Sequence, residues 1–176
     1  MRRYFMLAVL ALTCAGQAWA LGGRANPTDL ADTAYKAVSE AVTNSNTLQD
    51  DNDLVVNLVA YSTYTVEGLI LSTAAAAQPD LKISFAVPAG STMSIAYFGP
   101  ATNDGTFRGA VLVDSGVASA EIPATGGFTS AMNITGTVVT GANNGTLTLR
   151  WAQQTADLSS TFVHGGSYLR VARRFP

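Results

Sequence analysis

Cysteine is almost missing from this chain: Cys14 stands alone among 176 residues. That excludes an internal disulfide and any zinc centre built on thiolates. Histidine is as scarce, with His164 the only one. A Ser–His–acid site would have to be built around it, and no G-x-S-x-G turn exists to present a nucleophile. Charged residues make up 12% and the formal net charge is -2, which excludes the basic stripe of a nucleic-acid binder. The longest apolar run, Phe5 to Cys14, is too short for a comfortable membrane span.

What is present is apolar and strand-forming. Hydrophobic residues reach 48%, enough for one domain with a real core and too much for a disordered chain. Residues 1–20 read as a secretory signal: Arg2 and Arg3, the apolar run, then Ala18-Trp19-Ala20 as a small-x-small cleavage pattern. Cutting there would remove Cys14 and leave stability to core packing or self-association. Residues 21–53 read as a partly ordered N-terminal arm. Within it a short helix is expected over 28–35 with Thr28 as its cap, and 34–42 reads as a strand or as the tail of that helix. Residues 44–53 read as a polar, acidic connection.

From Leu54 onward the period is two. Leu81, Ile83, Phe85 and Val87 alternate with Lys82, Ser84 and Ala86, the pattern of a half-buried strand. Pro88-Ala89-Gly90, Gly99-Pro100, Asn103-Asp104-Gly105 and Asn143-Asn144-Gly145 punctuate the chain as turns. Further strands are expected at 54–60, 64–71, 91–98, 107–113, 118–122 and 128–139. The closing stretch gives two more. Leu147, Leu149 and Trp151 share one face of the first, and Tyr168, Leu169 and Val171 follow Gly165-Gly166 in the second. Eight to ten short strands at this spacing predict an all-β, antiparallel jelly-roll β-sandwich over 54–176. Trp151 is expected in the middle but only partly buried, because its indole N–H needs a partner.

Three segments occur in an order that resembles a group of tailed-bacteriophage virion proteins: SNTLQDDNDL (Ser45–Leu54), DLKISFAVPAGS (Asp80–Ser91) and GTLTLRWAQQTADLSSTFVHGGSYLRVAR (Gly145–Arg173). The last is also similar to the closing strands of tumour-necrosis-factor-like jelly rolls, which are commonly trimers. The resemblance implies a non-enzymatic, tail-fibre or capsid-associated subunit that assembles with copies of itself. Its partners would be other virion or surface proteins, and its location a virion or the extracellular or periplasmic space.

No cofactor is implied. Asp50, Asp51 and Asp53 are weak calcium candidates, since carboxylates with Asn52 could supply oxygen ligands, though the spacing lacks the glycine and glutamate of an EF-hand. Glu40, Glu67 and Glu121 are the acids a glycosidase would need in facing pairs, and the spacing does not join them. The interface candidates are aromatics near strand ends, Tyr97, Phe98, Tyr168 and Phe175, together with Trp151 and Arg170. Arg170 beside Tyr168 could instead meet an anionic or host-surface glycan.

Overall fold

The computed structural model describes residues 31–74, 80–100, 107–118 and 129–174. The expected signal, Glu121, Phe175 and most of the strand expected at 118–122 lie outside them. Among the described residues every regular element is a strand: β1 (Ala31–Tyr35), β2 (Glu40–Val42), β3 (Gln49–Leu58), β4 (Thr63–Ala74), β5 (Leu81–Ala86), β6 (Thr92–Pro100), β7 (Phe107–Leu112), β8 (Ser130–Val139), β9 (Gly145–Gln153), β10 (Thr161–Val163) and β11 (Tyr168–Arg174).

They form an antiparallel sandwich, as the alternation predicts. The larger sheet runs β1-β11-β4-β8-β6-β7, with β10 joining β4 to β2, and the smaller runs β3-β9-β5. From β3 to β6 each successive strand crosses to the other layer, as it does again from β8 to β9 to β10, in jelly-roll fashion. The core lies between the layers. Leu54, Val56, Ile83, Phe85, Leu147, Leu149 and Trp151 face Val66, Ile70, Ile95, Met132, Ile134, Val138, Leu169 and Val171, all buried.

The expected helix is not found over its described part, because Ala31–Tyr35 is a strand paired along β11 from Ala31↔Ala172 to Tyr35↔Tyr168. A helix of two turns has little stability of its own, whereas the open side of β11 offers a full ladder. Residues 31–53, expected as an arm and an acidic connection, supply β1, β2 and the first half of β3 to the sheets.

The ladder between β3 and β9 breaks. Gln49 and Asp50 pair with Trp151 and Arg150, and pairing resumes only at Val55↔Thr148. Such an irregularity frees backbone N–H groups and re-aims side chains, and it is what positions the acidic run.

Candidate functional site

Two regions carry unusual chemistry: a buried charged cluster between the layers and the open face of the large sheet.

The cluster begins with Asp51, turned inward at the break in β3. Its Oδ1 accepts the backbone N–H groups of Asp53 (3.0 Å) and Leu54 (2.9 Å), which the break releases from the ladder. Its Oδ2 accepts the indole N–H of Trp151 at 3.0 Å. Facing it is Lys36, just beyond β1, whose backbone is held by Ser167 and Gly166. The Lys36 Nζ donates to Asp51 Oδ1 (3.0 Å), Asp51 Oδ2 (2.9 Å) and Glu40 Oε2 (2.9 Å), and Asp53 lies 3.5 Å away. The Lys36 side chain is 1% exposed and that of Asp51 0%. Glu40 is fixed in turn by amide donors from Gln49 and Asn52 on its Oε1. Burial lowers the Lys36 pKa, but the hydrogen bonds and charges of Asp51 and Glu40 outweigh it and raise it above 10.5.

This arrangement revises several sequence expectations. Trp151 is fully buried rather than partly so, because Asp51 supplies the partner its N–H needs. The three acids of the expected calcium site are divided: Asp51 faces inward to Lys36, while Asp50 faces outward and accepts from Arg150 at 2.7 Å. Among the described residues no group of three or more His, Cys, Asp or Glu side chains is arranged to hold a metal ion.

His164 sits between two hydroxyls, with Ser39 Oγ 3.1 Å from Nδ1 and Thr73 Oγ1 2.8 Å from Nε2, and its ring stacks on Phe162. Both nitrogens are therefore occupied without a carboxylate to orient the ring, which is not the geometry of a general base held by an acid. Glu40 and Glu67 are each turned to a cation, Lys36 and Arg170, and do not form a facing pair.

The open face reads across the strands in register. Tyr35, Tyr168, Leu69, Asn133 and Phe98 are successive partners from β1 to β6, a row about 19 Å long at the usual strand spacing. The rings of Tyr35 and Tyr168 lie 6.1 Å apart, tilted. One row along, Arg170 meets Glu67 at 3.4 Å. At the other end Phe98 stacks on Phe107, with ring centres 5.2 Å apart. These two rings are 53% and 62% exposed.

Of the interface candidates, Phe98, Tyr168 and Arg170 lie on this face, whereas Tyr97 and Trp151 are core residues and not available to a partner. Alternation places Tyr97 opposite Phe98, but which of them points inward depends on the second layer.

The edge strand β7 is the least protected part of this surface. Among the described strands it pairs only with β6, and Gly109, Ala110 and Val111 are all exposed. Ala110 partners the buried Tyr97, so its exposure shows that the smaller sheet stops short of this part of β7, whereas Leu112, further along the same face, is buried in the core.

Sequence reasoning missed Lys36, Tyr35 and Phe107. A faint signal existed for the first: Lys36 is one of two lysines in the chain and lies in the apolar context Ala34-Tyr35-Lys36-Ala37-Val38.

No protein-family model matches the chain, so the tailed-phage resemblance carries no family assignment, and no curated protein matches it. Among solved structures it is similar to a chain of infectious bursal disease virus, Gx strain, at 9% identity and a TM-score of 0.21, covering 82% of this chain and 35% of that one. The chain thus spans about a third of that viral chain. A Gt-strain chain of the same virus is similar at 11% identity and a TM-score of 0.20, over 82% of this chain and 37% of that one. A third is "TmCBM61 in complex with beta-1,4-galactotriose", at 11% identity and a TM-score of 0.20, covering 79% of this chain and 86% of that one. Likeness at these scores is too loose to rest a function on.

Proposed function

We propose that this chain is a non-enzymatic structural subunit of a virion or exported surface assembly that associates with copies of itself through the β7 edge. One observation carries the reading: a strand edge that no other described strand pairs with, its outer face formed by Phe107, Gly109 and Val111, beside an exposed Phe98–Phe107 stack. Unpaired backbone groups along an edge are a template for another strand, and proteins that stay monomeric blunt them with charge, proline or a covering loop. The closed symmetry of a homo-oligomer satisfies such an edge, and a trimer is the number the jelly-roll resemblance implies. Light scattering coupled to size exclusion tests this on the full chain. The wild type should run as a discrete oligomer, and Val111→Lys or Phe107→Ser should shift it toward monomer with its melting temperature little changed. A wild type that is strictly monomeric over a wide concentration range defeats the proposal.

A second reading, a secreted glycan-binding module, is favoured by the Tyr35–Tyr168 pair beside Arg170 on the open face. Aromatic faces beside a fixed polar group suit a sugar ring. A glycan array run with and without calcium, with Tyr35→Ala and Tyr168→Ala as controls, decides it; an array without binding removes this reading.

A further inference from the structure

We propose that Lys36 and Asp51 become joined by an intramolecular amide bond, formed by the protein itself with Glu40 as proton relay. The reacting groups are already assembled. An amine within 3.0 Å of both oxygens of one carboxyl lies within about 3.5 Å of the carbon between them, near-attack distance. Both side chains are shut away from water, so bulk solvent is kept from reversing the condensation by hydrolysis.

The two oxygens of Asp51 are held differently, and this gives the reaction its direction. Oδ1 lies against two backbone N–H groups, at 3.0 and 2.9 Å, which is the arrangement that stabilises negative charge on a tetrahedral intermediate. Oδ1 therefore stays as the amide carbonyl. Oδ2, against the Trp151 N–H, is the oxygen that leaves, and the water it becomes is the acceptor left to that N–H. Glu40 Oε2, 2.9 Å from Nζ, takes a proton from the amine and returns it.

The balance closes without any outside reagent. An ammonium carries three protons: one remains on the amide nitrogen, two depart on Oδ2 as water, and Glu40 ends as it began. The C–N bond forms at Asp51 Cγ as the Cγ–Oδ2 bond breaks. Nothing is oxidised or reduced. The link would tie the end of β1, in the large sheet, to β3, in the small one, in a chain with only one cysteine.

The same atoms also describe a buried ion pair without a bond, and mass distinguishes the two. Denatured, intact wild-type protein should be lighter than its linear chain by one water (about 18 Da). Tryptic digestion should fail after Lys36 and yield a branched peptide joining it to Asp51. The linear mass overturns the proposal. So does a loss of water in which Lys36 is free, as a cyclised Asp51–Asn52 would give. Glu40→Gln keeps one acceptor oxygen of the two that Lys36, Gln49 and Asn52 use but cannot take the proton, so it should lose most of the mass difference while its circular dichroism stays that of the wild type. Persistence of the link in that variant overturns the relay role of Glu40. Lys36→Arg, which retains the charge without a competent nucleophile, should show the linear mass.

Discussion

Asp51 receives two backbone N–H groups, an indole N–H and an ammonium at once. Before the proposed amide forms, every lone pair of this buried carboxylate is thereby engaged, the condition under which charge is tolerated in a core. Removing it strands the others. Asp51→Ala should cost at least about 3–5 kcal/mol, the usual consequence of leaving one member of a buried pair uncompensated, and more where the amide has formed, measured by urea unfolding. A loss below about 1 kcal/mol, the scale of an exposed pair, would show that water reaches Lys36 and that the cluster is not closed. The Arg170–Glu67 pair lies on the open face and is long, so breaking it should change stability little.

Among the elements, β8 shows how tightly the large sheet is drawn. It lies between β4 and β6, and a Cβ built on Gly136 would stand 2.3 Å from the Ser94 carbonyl oxygen and 2.7 Å from the Ile95 Cα. Both obstacles are backbone, which cannot swing aside as a side-chain tip can. A glycine inside a strand often marks such an approach. Gly136→Ala should therefore destabilise by roughly 2 kcal/mol or more through strain, read from the shift in denaturant midpoint. Gly116, with φ of +79°, disfavours a side chain for a different reason, its left-handed backbone. At the rim, β7 has one partner among the described strands and an outer face of Phe107, Gly109 and Val111, so its behaviour is decided by what covers it rather than by its own ladder.

At the scale of the whole molecule, the first described strands belong to the body. β1 closes the open side of β11, β2 pairs with β10, and the segment between them delivers Lys36 and Glu40 to Asp51. A chain beginning at Thr43 loses all of this together. Its melting temperature should fall by at least about 10–20 °C, the equivalent of 3–5 kcal/mol in a domain of this size, followed by circular dichroism. If that chain melts as the full one does, the large sheet is complete without β1 and β2.

Alternation and turn residues were enough to place most strands. Leu147, Leu149 and Trp151 lie on one face because side chains along a strand must alternate, and Leu81, Ile83 and Phe85 point to the core for the same reason. Those rules are local and act wherever the residues occur. They are silent about which partner a strand meets and which of two faces turns inward. Tyr97 rather than Phe98 is buried, Ala31–Tyr35 is a strand rather than a helix, and an acidic run sends Asp51 to Lys36 and Asp50 to Arg150. In each case the deciding contact comes from a segment distant in the chain or from the opposite layer, and only closing the sandwich brings it into range.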